Sequence, residues 1–150
     1  MGILAIDPGK TTGLALLSSA HGSLSDRVRA WYEPYEDAID TCTGHATFVD
    51  VIVMEDFIIS ERTLRTGTAN WRRGMELEFI GVMRWMCRRN DTNFVLQTPA
   101  KAKTFATDQK LKAAGLWTPG LDHPRDATRH LLTYLVGQRL IDPRELLADE

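Results

Sequence analysis

The chain has 150 residues, 43% hydrophobic and 25% charged, which is the length of one ordinary domain and too apolar for a disordered one. Its formal charge of −2, taken alone, argues against a nucleic-acid partner, because such domains usually carry a basic excess. No apolar run approaches the ~18 residues that cross a bilayer, the opening MGILAIDPGK has no basic lead of a secretory leader, and the isolated Cys42 and Cys87 exclude a thiolate zinc site or a disulfide framework and point to a reducing cytoplasm.

In chain order, Ile3–Asp7 reads as a short buried strand, Pro8-Gly9 as a turn and 13–18 as a second strand. A third strand is expected over 27–32, then a short helix or loop over 35–47. Residues 49–55, VDVIVME, are rich in β-branched side chains and read as a buried strand ending on a carboxylate, followed by the loop-like SERTLRTGTAN. Residues 70–90 read as a long helix with Trp71, Met75, Phe79, Val82, Met83 and Met86 on one stripe. Leu77, Ile80, Trp85 and Cys87 fall off that stripe, so this helix carries more apolar surface than one core face requires. Asn93–Gln97 reads as a fifth strand, and one or two short helices are expected over 100–114, ending at Gly115. The last helix is expected to start at Pro124 with His123 as its N-cap, because the residue before a proline is pushed out of the α region. Ala127, Leu131, Leu132, Leu135, Val136 and Leu140 would supply its buried face, and 141–150 reads as a tail that can fray. Without repeats or linkers, residues 1–150 read as one α/β domain, a mixed sheet with helices packed on its faces.

The charge is unevenly spread. Residues 1–61 hold 3 basic and 10 acidic side chains, residues 62–112 hold 11 and 4, and residues 113–150 hold 4 and 6. The near-neutral total therefore conceals a basic middle, which is either a solvated helix face or a track for phosphates. Among the acids, Asp7 and Glu55 end strands, and Asp126 lies in the first turn of the last helix three residues after His123. If the first and fourth strands are neighbours, two carboxylates meet, and the helix can bring a third with an imidazole. Such a cluster is costly unless a cation neutralises it. Mg²⁺ takes carboxylate oxygens while leaving positions for phosphate, and two such ions can clamp an in-line displacement at phosphorus. Each residue also has a plainer role: Asp7 as a strand end, Asp126 as a partner of the helix dipole, His123 as a cap, and Asp122 as loop or rival ligand.

The motifs carry a resemblance. ILAIDPGKTTGLAL is similar to the first-strand motif of the RuvC family of Holliday junction resolvases, VIVMEDF to its fourth strand with the catalytic Glu, TPAKAK to its Pro-x-x-x-Lys segment, and HPRDATRHLL to its final Asp-Ala motif. The motifs stand in family order over residues 3 to about 136, and their short spacing most resembles the resolvases of actinobacterial phages. The resemblance implies an RNase H-like fold, a five-stranded mixed sheet flanked by helices. It also implies a Mg²⁺-dependent homodimeric endonuclease on branched DNA, with Mn²⁺ able to substitute and two ions per site. By position, the implied metal ligands are Asp7, Glu55, His123 and Asp126. The family has Asp or His at position 123, and an imidazole there suits Mn²⁺ or a base toward the attacking water. Lys103 matches the family lysine, with Lys101 and Lys110 as companions at the scissile phosphate. Phe57 is the candidate ring for stacking at the junction centre, one residue out of register, and Arg62, Arg65, Arg72 and Arg73 are candidate phosphate contacts. The surplus apolar surface of 70–90 would form the dimer interface, the competing explanation being burial of both helix faces within one subunit.

Two other classes compete: an RNase H-like nuclease acting on flaps, forks or RNA, and a catalytically silent junction-binding protein. IDPGKTTG also echoes the phosphate loop of the actin-like sugar kinases, but those need two domains and several hundred residues, so no nucleotide cofactor is expected.

Overall fold

Strand β1 (Ile3–Asp7) is buried along its whole length. A strand covered on both faces needs apolar side chains at both parities. Ile3 and Ala5 join the core on one face, and Leu4 and Ile6 join that on the other. The computed structural model describes residues 1–58, 71–120 and 122–146, with the backbone alone for 71–73. Around β1 the sheet runs β3-β2-β1-β4-β5. β2 (Thr11–Leu17) lies antiparallel to β1, and β3 (Val28–Pro34) antiparallel to β2. β4 (Val51–Glu55) runs parallel to β1, and β5 (Asn93–Gln97) parallel to β4. This is the five-stranded mixed sheet expected from the sequence.

Helices α1 (Leu24–Arg27), α2 (Tyr35–His45), α3 (Trp71–Asn90), α4 (Pro99–Phe105), α5 (Asp108–Ala113) and α6 (Asp122–Gly137) complete the described elements, with a 3₁₀ turn at Pro143–Leu146. Helix α6 packs Ala127, Leu131, Leu132 and Leu135 on the face of Ile3 and Ala5, together with Ala106 and Leu111 from the α4–α5 region. Helices α2 and α3 pack Ala38, Cys42, Phe79 and Met83 on the face of Leu4 and Ile6. The short α1 has no apolar period to announce it. It is held by a capping box between Ser23 and Asp26.

Three expectations are corrected. Helix α6 begins at Asp122, not Pro124, and His123 lies inside its first turn. The first N–H groups of a helix have no intrahelical acceptor, so Pro124 costs no hydrogen bond there. On α3, Ile80 and Cys87 are buried at 6% and 1% exposure while Val82 is only half-buried. The buried stripe is rotated because α3 packs against both β5 and α2. Leu140 lies beyond the end of α6 and is 42% exposed. The chain turns at Arg139, whose φ is +57°, with Leu140 N–H donating to Leu135 O at 2.8 Å. Ile141 and Leu146 then reach the core, at 7% and 2% exposure. Both cysteines are free and buried. Among the described residues no helix is long and apolar enough to cross a membrane.

Candidate active site at the ends of β1 and β4

Side-chain parity places the acids. Asp7 follows Ile3 and Ala5 on β1, Glu55 follows Val51 and Val53 on β4, and both therefore face α6. The parallel β1–β4 pairing makes their strand ends neighbours. Gln97, after Val95 on β5 and paired with Glu55 in register, shares that face. The Pro8-Gly9 turn beside Asp7 is pinned by Thr12, whose hydroxyl donates to Gly9 O at 3.0 Å.

Gly13 is the register partner of Asp7 on β2. A Cβ there would stand 2.0 Å from His123 O and 2.7 Å from Pro124 N. The first turn of α6 rests directly on this bare strand position, and only glycine leaves room for it. The close approach carries His123 to Asp7, its Nδ1–H donating to Asp7 Oδ2 at 2.9 Å. The neutral ring then keeps its lone pair at Nε2.

The electrostatics follow from this packing. Burial pushes the Asp7 carboxyl above its usual range. The hydrogen bond from His123 pulls it back, and the charges of Glu55 and Asp126 add to the rise. The hydrogen bond to Asp7 lifts the His123 imidazole above its ordinary value against partial burial, and the charges of Asp7, Asp126 and Asp122 act in the same direction. Lys103, on α4, reaches Asp126 Oδ2 at 3.2 Å with 58% of its side chain exposed. Partial burial lowers its ammonium, but Asp126, followed by Glu55 and Asp7, carries it above the ordinary lysine value. The pair itself adds little stability at that exposure. Its consequence is a cation held beside the acids with its outer side open.

Asp126 and Glu55 are also held from behind. Arg129, 8% exposed, donates from Nε to Asp126 Oδ1 at 3.1 Å and from its other nitrogens to Ala106 O and Asp108 Oδ1. His130, 1% exposed, meets Glu55 Oε2 at 2.8 Å through Nε2. Sequence reasoning missed Arg129, His130 and Gln97. The signal was present, for Arg129 and His130 follow Asp126 by three and four residues and so share its helix face.

Of the other expected residues, Phe57 is half-buried and lines a groove of about 300 Å³ with Glu55, Glu76 and Pro99. Lys101 is exposed on α4. Lys110 donates to Phe105 O at 2.8 Å and lies 4.3 Å from the Phe105 ring, which ties it to the corner between α4 and α5. Arg62 and Arg65 lie outside the described residues, as do the side chains of Arg72 and Arg73.

The donor set suits a hard divalent cation: three carboxylates on one face, one of them buried beside the charges of the other two, with an imidazole at its edge. Among the described residues no three His, Cys, Asp or Glu side chains are yet gathered as ligands. Each acid is instead held by a protein partner: Asp7 by His123, Glu55 by His130, and Asp126 by Lys103 and Arg129.

No protein-family model matches the sequence, and no curated protein matches it. Solved structures do. The chain is similar to Thermus thermophilus RuvC in complex with Holliday junction substrate, at 15% identity and a TM-score of 0.58, over 93% of this chain and 96% of that one. A second Thermus thermophilus RuvC structure matches over the same shares with a TM-score of 0.57. The likeness shows that the chain has the RNase H-like fold of RuvC.

Proposed function

We propose that the chain is a divalent-metal-dependent endonuclease that resolves four-way DNA junctions, of the kind encoded by actinobacterial phages. One observation carries the reading: Asp7, Glu55 and Asp126 come from two adjacent strand ends and the N-terminal part of α6 onto one face, with His123 and Lys103 attached to them. The likeness in fold to a protein solved with a Holliday junction supports the substrate.

In this reading Asp7, Glu55 and Asp126 hold Mg²⁺ or Mn²⁺, two ions per site, with His123 as a further ligand or as a base. The bound metal supplies an activated water and stabilises charge on the phosphate. His123 has its Nδ1–H engaged by Asp7, so Nε2 is the atom able to accept a proton or a metal. Lys103 offers its exposed ammonium to the phosphate as charge builds. Water adds to phosphorus, the bond to the 3′ oxygen breaks, and the proton ends on that oxygen, giving 5′-phosphate and 3′-hydroxyl ends. Phe57 and the neighbouring Ile58, which is 56% exposed, stand at the groove beside Glu55, where an unpaired base would stack. Arg62, Arg65, Arg72, Arg73, Lys101 and Lys110 are proposed phosphate contacts. Paired nicks call for a two-fold dimer, and the exposed Leu77 and Trp85 of α3 offer its apolar surface.

The test is cleavage of a synthetic four-way junction against linear duplex, fork, flap and RNA–DNA hybrid at equal salt. The junction should be cut with Mg²⁺ or Mn²⁺, and Asp7→Asn should lose at least about 10³-fold in rate while still binding it, a ~4 kcal/mol effect on the barrier. Equal cutting of linear duplex overturns the resolvase reading, and an active Asp7→Asn protein overturns the site.

A further inference from the structure

The buried face of α6 ought to be apolar, yet His130 stands in it at 1% exposure, between Glu55 of β4 and Gln97 of β5. A buried imidazole is costly unless both ring nitrogens are satisfied. Both are: Nε2 lies 2.8 Å from Glu55 Oε2, and Nδ1 lies 3.1 Å from the Gln97 side-chain amide. The amide is itself 6% exposed and fixed by the pairing of Gln97 with Glu55 in the parallel β4–β5 register. An ionised carboxylate can only accept, so Nε2 carries the hydrogen toward Glu55. That holds whether Nδ1–H donates to the Gln97 oxygen or the amide, turned by half a revolution, donates to Nδ1.

We infer that His130, braced by Gln97, is a positioning residue that fixes one oxygen of Glu55 and so presents the other to the metal. The inference rests on the reading of Glu55 as a metal ligand. Outer partners that orient a ligand commonly govern metal affinity by 10–100-fold. Here the brace is built from three elements, β4, β5 and α6, so the carboxylate is held before any ion arrives. A carboxylate on a free rotor would have to lose that freedom on binding.

The experiment titrates Mn²⁺ alone into the metal-free full chain by calorimetry at one pH and salt, with metal-free melting recorded for each variant. His130→Gln keeps a donor where Nε2 stands. His130→Asn places its amide only where Nδ1 stands, and His130→Leu has no donor. The Asn and Leu variants should bind Mn²⁺ about 10–100-fold more weakly, and the Gln variant should recover to within about threefold of the parent. Glu55→Gln should weaken binding, and adding His130→Asn to it should weaken binding no further, the non-additivity of two residues acting through one contact. Equal affinity of the Gln and Asn variants, with Glu55→Gln impaired, overturns the positioning role alone. Parental affinity in Glu55→Gln overturns Glu55 as a ligand, and the positioning role with it. Should the Asn variant not fold, the comparison of Leu with Gln decides the same question.

Discussion

His123 shows how a single contact sets a pH dependence. Its hydrogen bond to Asp7 raises the imidazole above its ordinary 6.5 in the folded chain. A base whose folded value exceeds its unfolded one contributes stability that is full below the unfolded value and is lost as pH rises through the folded one. Metal-free protein in chelator should therefore lose resistance to urea as pH climbs from just under 6.5 past the raised value. His123→Asn should flatten that part of the profile. Asp7, raised chiefly by burial, acts with the same sign at lower pH, from below its unfolded 3.8 up to its folded value. An unchanged slope in His123→Asn would show that the pair does not couple to folding. The ring is 47% exposed, so screening limits the size of the effect.

At the scale of elements, the docking of α6 on β2 decides whether the site exists. Gly13 is the critical position because a methyl group there meets backbone, which cannot swing aside as a flexible side chain can. Gly13→Ala should destabilise by about 1–3 kcal/mol or more, and should cost junction cleavage beyond what the lost stability explains, by moving His123 off Asp7. Gly44, in α2, is the contrasting case, because a Cβ added there would have nothing within 4 Å. Gly44→Ala should stabilise by up to about 0.5–1 kcal/mol. Urea denaturation of both variants checks the pair, and a stable, active Gly13→Ala protein would refute the docking account. The element scale also explains the rotated stripe of α3. Periodicity finds that a helix has an apolar side, but the neighbours β5 and α2 decide which residues count as that side.

For the whole molecule, the sheet divides the basic residues that are described in the middle of the chain. Arg84, Arg88 and Arg89 lie on α3, on the face of Leu4 and Ile6, with Arg89 over the Trp85 ring at 5.0 Å. Lys101, Lys103, Lys110 and Lys112 lie on α4 and α5, on the face that holds the acids. Among the described residues the charge excess thus falls on two faces, and the lysines of α4 and α5 share the face of Asp7, Glu55 and Asp126. DNA binding should fall steeply with salt, each phosphate contact adding about −0.9 to the slope of log K against log salt. Lys101→Ala should reduce that slope by about 1 and weaken junction and duplex alike. A change confined to the junction would make Lys101 a reader of branch structure. Binding should also strengthen with a divalent metal, because a cation held by Asp7, Glu55 and Asp126 would offset carboxylate charge that repels a phosphate.

By itself the sequence determined that strands end at Asp7, Glu55 and Gln97 and that the last helix has an apolar side. Period-two alternation already places Asp7 on the face of Ile3 and Ala5, Glu55 on that of Val51 and Val53, and the Asp126 turn at the head of an amphipathic helix. The order of motifs pointed to the fold that the structure has. Tertiary structure alone decided that β1 and β4 are parallel neighbours, that α6 starts two residues early on the bare surface of Gly13, and that His130 and Gln97 close behind Glu55. Periodicity and turn signals arise from contacts within a few residues. Pairing and docking instead join residues far apart in the chain, 75 positions for His130 and Glu55 and 116 for His123 and Asp7. No local pattern records those contacts, and they are what gather three separate acids onto one face as a candidate site.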